Sequence, residues 1–524
     1  MFKRFLKLMS NGTLVIFSFF IFLTFFFALT SPNIVLGDNQ ITGAGTTFFT
    51  TAWLMVFGAI VISFKTFKKI NRFLRYIFIK QRVKSAIILL LLVICWQLVF
   101  VLTVHPAIGF DAGAIHQALT DRTSAEIRAY YSINYNNLPL LLLQNFFAQL
   151  FASKTWLFFD LLTLLFVDLS MLFNLLSVAL VDRSRLATAI YLHAGWLLLF
   201  PMIIVPYTDT WVLPIVSGYL LCYCIARHKR ANFFVRLIAI AAFSILLIAA
   251  YFLKPSAIIG GIAIGVGEIL FALSKFKLKR PRSWYPLCSL LFSGAVILGS
   301  YQMISQKIKS QKYIQVDQSR SIPAIHFISM GVSGDGGYNP KDVLAMAQIS
   351  TKAARVAYSK KMLTKRLKSK GILGYTGFLF KKHQANTADG SFAWVKEGHF
   401  ITEDPNPTKI GFAGQLKQFI YLYGTRLGDF RFAAQTWWII LLGIIALGWR
   451  DRRNFVQLLR LALIGGFIYL LIFEGGRSRY LIQFLPYFLI MGALTFKHSL
   501  QTIHGLFSFL RNGSSEKDLN NEKK

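Results

Sequence analysis

Four short segments of this chain carry side chains that could act together on a phosphate ester. They are Gly109-Phe110-Asp111-Ala112-Gly113-Ala114, Pro206-Tyr207-Thr208-Asp209-Thr210, Leu253-Lys254-Pro255-Ser256 and Phe473-Glu474-Gly475-Gly476-Arg477-Ser478-Arg479-Tyr480. A carboxylate such as Asp111 or Asp209 can take the proton of an attacking hydroxyl or orient it. Lysine and arginine neutralise phosphate, and arginine does so through two parallel hydrogen bonds. Lys254, Arg479 and Arg477 would then stabilise the charge that develops on a departing phosphate. Taken singly, each such residue at the end of an apolar run is a solvated anchor. The chemistry requires that all four segments reach one surface, so the elements that carry them decide the matter.

Those elements are membrane spans. Of the 524 residues, 55% are hydrophobic and 50 are phenylalanine, and runs such as Ala86–Val104, Leu186–Val205 and Val456–Phe473 have no polar face. About 20 apolar residues cross a bilayer, whereas the helices of a soluble core keep a polar side. The net charge of +35 is spread between the apolar runs, which fits topology and anionic head groups and excludes a nucleic-acid role. All four cysteines (Cys95, Cys222, Cys224 and Cys288) fall inside apolar segments and read as small buried side chains. Leu14–Leu29, behind Lys3, Arg4 and Lys7, reads as a retained first helix with a cytoplasmic N-terminus.

Positive charge sets the sidedness. The loop Lys65–Lys84 carries eight Lys/Arg and no acid, so it is placed in the cytoplasm. His105–Leu138 then lies outside. Pro139–Phe151 is apolar but only about 13 residues long, short for a span. If it rests in the outer interface, the clusters Arg183–Arg185 and Arg227–Arg230 both fall inside, and the rest of the chain alternates without conflict. The expectation is an all-α polytopic membrane protein of about twelve spans plus one interfacial segment. Residues 1–304 form a transmembrane region with a first outer loop at 105–138. Residues 305–434 form an extracytoplasmic loop domain, 435–497 the last spans, and 498–524 a cytoplasmic, disordered tail. All four chemistry-bearing segments then share the outer face.

Within 305–434, Asn339-Pro340 is a helix start. The expected helix runs to Lys370 with a basic face (Lys360, Lys361, Lys365, Arg366, Lys368) and stops at Gly371. Gly331–Gly337 lacks the preceding strand and the Lys-Ser/Thr ending of a phosphate loop and reads as a turn. Asp160, Asp168 and Glu268 lie inside spans, where pairing or a shifted boundary is expected. His105 and His116 flank Asp111 without a convincing third metal ligand. Tyr130, Tyr131, Tyr135 and Trp394 are of the types that stack on sugar rings or anchor at the interface. Lys381-Lys382-His383 reads as a solvated basic patch, and Trp437-Trp438 as an interfacial anchor.

The arrangement of these segments resembles the GT-C superfamily of integral-membrane glycosyltransferases that use polyprenyl-phosphate sugars. It is similar to protein O-mannosyltransferases and lipid A aminoarabinose transferases. With its outer GDGGYNP, LKPS and EGGRSRY segments, it is most similar to exosortase-associated glycosyltransferases of Gram-positive bacteria. The resemblance covers most of the chain through short motifs, and it implies a GT-C-like fold in a bacterial plasma membrane. Asp111 matches the first-loop acid regarded as catalytic base, and Asp209 the second outer acid. Lys254, Arg477 and Arg479, with Glu474 beside them, would hold the donor phosphate. The first loop carries Asp111 alone where the mannosyltransferases have paired acids, which leaves a divalent cation open. The implied function is transfer of a sugar from a polyprenyl-phosphate donor to a glycan, lipid or protein acceptor. A lipid-linked saccharide flippase would rest instead on the acids inside spans and the many helices, and a surface polysaccharide polymerase or ligase would share the large outer loop and outer arginines.

Overall fold

The structure is a computed structural model that describes residues 2–275, 284–392 and 401–521. Among these the chain is helical throughout, with a single β-bridge between Ile108 and Ile401. Trp394 and the basic stretch 276–282 lie outside the described residues. The helices that matter here are α1 (Phe2–Leu29), α2 (Phe48–Thr66), α3 (Arg82–Thr103), α4 (Phe110–Thr120), α5 (Ala125–Ile133), α6 (Leu138–Leu150), α7 (Trp156–Asp182) and α8 (Leu186–Leu198). After them come α9 (Leu213–Arg227), α10 (Phe233–Leu253), α11 (Ile259–Lys275), α12 (Tyr285–Lys309), α13 (Lys352–Thr387), α14 (Leu427–Leu447), α15 (Asn454–Ile472) and α16 (Leu485–Asn521).

Eleven helical stretches among the described residues are long and apolar enough to cross a membrane, against the twelve expected. The difference is Trp156–Leu198, one helical stretch of 43 residues, or about 65 Å at 1.5 Å per residue. That is twice the ~30 Å of a bilayer's hydrocarbon core. The stretch is interrupted by a tight turn at Arg183–Arg185, where the Asp182 side chain accepts from Ser184 N. Beyond it the chain doubles back, because Trp211 Nε1 donates to Thr163 Oγ1 (2.8 Å) near the start of α7.

α9 packs between α7 and α10, α8 against α3, α11 against α15, and α14 against α16. The first turns of α16 form the centre, with every residue from Leu485 to Leu494 buried. By contrast α2 leaves apolar side chains such as Trp53, Phe57 and Ile62 exposed, as a lipid-facing helix does. Arg452 Nη1 donates to Asn11 Oδ1, and Arg453 Nη2 to the Leu494 carbonyl. The start of α1 and the middle of α16 therefore lie at one end of the bundle. The four segments singled out above lie at the other, called the site end below.

α6 settles how the short apolar segment runs. Asn137, just before it, reaches the residues around Asp111. Just after it, Lys154 offers its carbonyl to His116 Nε2 at 2.8 Å. Both ends of α6 thus sit beside α4, and α6 does not cross the bundle.

Some expectations change. Asp111 lies in the first turn of α4, not in a loop between elements. Asn339 does cap a helix, accepting from Lys341 N (3.0 Å), but that helix ends at Gln348. A new one, α13, begins behind the Thr351 cap, and Gly371 (φ +59°, ψ −175°) breaks it, so the stop expected at Gly371 holds and a second helical stretch follows to Thr387. The tail read as disordered continues as helix to Asn521; no proline after Pro486 interrupts it. Trp437-Trp438 is not a simple surface anchor, because Trp438 is fully buried and donates to the Thr387 carbonyl at 2.9 Å.

Candidate functional site

The local sequence accounts for where each site residue sits. Pro255 holds Lys254 in extended geometry (φ −153°, ψ 99°), so α10 stops there and the ammonium group stands at the helix end. This is the usual effect of proline on its predecessor. Asp209 lies in the first turn of a short helix, Thr208–Trp211, entered through an extended Tyr207. Asp111 likewise occupies the first turn of α4, where a carboxylate meets free N–H groups and the positive end of the helix dipole. The residue before it, Phe110, has φ +54°, a left-handed conformation that costs a side-chain-bearing residue about 1–3 kcal/mol. Such strain persists only where the surroundings over-determine the backbone.

Hydroxyl groups hold Asp111. Tyr130 donates to its Oδ1 at 2.6 Å and Tyr207 to its Oδ2 at 2.9 Å. Asn137 completes the set, with Nδ2 donating to Tyr130 Oη at 2.6 Å and Oδ1 lying 3.2 Å from Tyr207 Oη. Burial, reinforced by the Asp111 charge, pushes both phenols well above their ordinary range, so they remain donors. Each carboxylate oxygen has two lone pairs, so Asp111, which is half-buried, keeps acceptor capacity for a further hydroxyl.

Asp209 is held differently. Its side chain is 1% exposed, Lys254 Nζ pairs with its Oδ1, and Arg479 Nε lies 3.7 Å from its Oδ2. Both cations sit over the Tyr480 ring, at 5.6 Å for Lys254 and 5.1 Å for Arg479. Tyr480 in turn donates to Glu474 Oε1 at 2.8 Å. Ser256 donates to Gln483 Oε1 at 2.7 Å, which ties the segment after Lys254 to the one after Arg479. Tyr207 joins the two halves of the site: it donates to Asp111 and stands two residues before Asp209. Asp111, Asp209, Lys254, Glu474 and Arg479 therefore form one connected cluster.

Arg477 also reaches beyond this cluster. It pairs with Asp335 Oδ2 at 2.5 Å, and so fastens the glycine turn 331–337 to the 473–480 segment. Gly475 N donates to the Gly336 carbonyl at 2.9 Å, and Gly336 and Gly476 both need positive φ (+88° and +73°). Burial alone would raise the Asp335 carboxyl, but the Arg477 hydrogen bond and charge bring it below its ordinary value.

Described parts of the segment 305–434 contact the residues around the site. Thr402 N donates to the Ala107 carbonyl at 2.9 Å, four residues before Asp111. Ile322 N donates to the Ile133 carbonyl, and Gln318 Nε2 to Tyr135 Oη. Lys382, read as solvated, is buried; Nζ donates to the carbonyls of Gly331 (2.6 Å), Leu471 (3.1 Å) and Phe473 (2.6 Å). It thus satisfies the end of α15, and burial lowers its pKa to about 8. His383 is buried too, against Thr24 Oγ1 at 2.9 Å.

The metal reading of the histidines fails. His116 binds the Lys154 carbonyl and stacks on Trp156 (centroids 4.0 Å apart), and His105 Nδ1 lies 3.2 Å from the Val101 carbonyl. Among the described residues no three His, Cys, Asp or Glu side chains form a metal-sized group. With both oxygens of Asp111 on phenols and Asp209 on cations, the two acids do not fit a shared divalent ion. Inside the spans, Glu268 is paired as expected, with Tyr223 Oη at 2.7 Å and Arg227 Nε at 3.6 Å. Asp160 is not paired: fully buried, neither of its oxygens has a hydrogen-bond partner among the described residues.

Tyr207, Asn137 and Asp335 were not singled out for chemistry in the sequence, and Tyr130 only as a stacking residue. Tyr207 stood beside a flagged acid, the one signal that could have found it. Asn137 had none, because its role depends on a turn that folds it back onto Tyr130.

No curated protein matches the chain, and no solved structure matches it. A family model described as a conserved hypothetical integral membrane protein matches residues 5–500. Its span covers nearly the whole chain, including all four site segments, so the chain belongs to that family of integral membrane proteins.

Proposed function

We propose that this protein is a GT-C-type glycosyltransferase that moves a sugar from a polyprenyl-phosphate donor to an acceptor hydroxyl on the extracytoplasmic face of the membrane. One observation carries the reading: a hydroxyl-held carboxylate, Asp111, is joined through Tyr207 to a buried acid, Asp209, that gathers a lysine and an arginine. The acceptor oxygen attacks the anomeric carbon and the carbon–oxygen bond to the phosphate breaks, with inversion at the anomeric carbon. Asp111 takes the acceptor proton, and polyprenyl phosphate leaves with its charge on Lys254 and Arg479. Asp209 keeps those two cations together between turnovers. Arg477 serves the site indirectly, by docking the glycine turn. Positive charge places the opposite end of the bundle in the cytoplasm, which puts the site outside with both termini inside.

The test is a donor screen with purified protein and a panel of polyprenyl-phosphate sugars. Consumption of one donor with release of polyprenyl phosphate is expected, and Asp111→Asn should abolish it while the protein still inserts. Full activity in Asp111→Asn would remove Asp111 from the mechanism. The unpaired, buried Asp160 favours a second reading, a lipid-linked saccharide flippase, since acids inside membranes mark transport paths. A flippase would move labelled lipid across the bilayer without consuming it.

A further inference from the structure

At the end of the bundle opposite the site, a cavity of about 530 Å³ opens between the ends of α7 and α9 and the start of α15. Its inner wall is apolar, formed by Leu180 and Val181 of α7, by Tyr223 of α9, and by Phe455 of α15. The Tyr223 and Phe455 rings stack at 6.0 Å, so the wall is firm. Its rim is the end of α9 and the turn after it, Arg227-His228-Lys229-Arg230, and among the described residues no acid lines it.

Arg227 is already engaged with Glu268 and with the Phe271 ring, at 4.4 Å. Lys229 and Arg230 have no ion pair among the described residues. Their turn is held in place, because Arg236 Nη2 donates to the His228 carbonyl (3.1 Å) and the Lys229 carbonyl (3.4 Å). Next door, across Arg453 and Asn454, Asp182 and Asp451 are both bound by Arg453. Their charge is thereby balanced locally, and Arg185, Arg450, Arg452 and Lys497 around a neighbouring cavity keep the region cationic. The basic run 65–84 differs: all its positive side chains are exposed, and the helices Lys68–Arg75 and Tyr76–Lys80 that carry most of them bury no residue, the pattern that topology alone produces.

We propose that this cavity binds one anionic glycerophospholipid of the adjoining leaflet. Its phosphate sits among His228, Lys229 and Arg230, and an acyl chain lies along Val181, Tyr223 and Phe455. A cationic mouth above an apolar wall, at the depth where head group meets chain, matches both parts of such a molecule. Basic pockets between helices on the positive side of a membrane protein recognise anionic head groups in this way. A zwitterionic lipid offers the same chain and phosphate but brings its own cation to Lys229 and Arg230. Free phosphate lacks the chain that fills the wall. The site is independent of the transfer chemistry proposed above, so failure of either leaves the other standing.

The full-length protein, delipidated in detergent, should be titrated with phosphatidylglycerol, phosphatidylcholine or inorganic phosphate, reading bound lipid by native mass spectrometry and the melting temperature. Phosphatidylglycerol should bind at least about tenfold more tightly than phosphatidylcholine, given a contribution near 1 kcal/mol from each surface cation. Inorganic phosphate at equal concentration should not raise the melting temperature. The double variant Lys229→Gln/Arg230→Gln should lose the preference, and Val181→Trp, which fills the wall, should weaken phosphatidylglycerol without restoring phosphatidylcholine. Equal binding of the two lipids, equal stabilisation by inorganic phosphate, or an unchanged preference in the double variant would overturn the proposal. Should the variants fail to fold, photo-crosslinking of a phosphatidylglycerol analogue to the unaltered protein decides: labelling within 180–181, 223–230 or 454–455 supports the site, and labelling confined elsewhere refutes it.

Discussion

Two carboxylates of this protein, Asp111 and Asp209, meet almost opposite environments within one cluster. Asp111 is held by two phenols and an asparagine behind them, with no ion pair among the described residues. Asp209 is sealed in and held by Lys254, with Arg479 close by. An acid held by neutral donors keeps its negative charge uncompensated and its remaining lone pairs available, as a proton acceptor needs. An acid matched to buried cations is spent on structure, because removing it would leave like charges together in a dry site. Acids in unlike surroundings can divide their roles in this way. Under the proposed transfer reaction, this contrast gives the reacting role to Asp111 and the assembling role to Asp209.

The sharpest way to break this division is to neutralise each acid in turn. Asp111→Asn should reduce transfer by about 10²- to 10⁴-fold, the range for a lost general base. Its unfolding free energy should change by only about 1 kcal/mol, since the amide still accepts hydroxyl hydrogens. Asp209→Asn should reverse the pattern in denaturant unfolding, losing about 3–5 kcal/mol by leaving the buried Lys254 without its counter-ion. If both variants unfold alike, the two environments do not mean two roles.

A smaller effect comes from Gly113, where an added Cβ would stand 2.6 Å from the Ile108 carbonyl oxygen. Gly113→Ala should therefore shift the first turn of α4 and cost about 1–3 kcal/mol, the range for overpacking. It should lower activity through Asp111 placement while leaving the Asp209 cluster intact, and hydrogen exchange at 107–113 would report the shift. Tyr207→Phe sharpens the comparison, because it cuts the link between the halves and leaves every charge in place. A loss of about 0.5–1.5 kcal/mol is expected, with a reduction in kcat; an unchanged pH–rate profile would show that Tyr207 does not bear on Asp111.

The weakest expected effect concerns the docked glycine turn. The Asp335 carboxyl is held below its ordinary value near 3.8, so its pairing with Arg477 stabilises the fold above that value. The contribution is lost as pH falls through the lower, folded value. Proteolysis or hydrogen exchange at 331–337 should therefore rise only in that acid window, and Asp335→Asn should show the raised exchange at neutral pH. Exchange insensitive to both changes would detach the turn from the site.

Much of this architecture was legible in the residues. Apolar runs of about 20 residues can do little but span, and Pro255 after Lys254 announces a helix end. The four polar segments at span ends could be named, and the shortness of Pro139–Phe151 argued against a crossing, as α6 bears out. Other features were hidden. Lys382 looks like one more solvated lysine, yet the three carbonyls it satisfies come from residues 331, 471 and 473. Trp156–Leu198 reads as two spans, and only the turn at 183–185 shows how helix continues between them.

What the sequence determined by itself was the inventory: helices long enough to cross, the ends at which they stop, and the charges placed there. Such features follow from hydropathy and local backbone rules, which act over a few residues. Which charges meet was decided only by tertiary structure. The partners of Asp209 lie 45 and 270 residues away along the chain, and no local rule reaches so far. Packing α9, α10 and the segment before α16 against one another turned four separated span ends into one cluster. The same packing set a hydroxyl cradle around one acid and a cation cradle around the other.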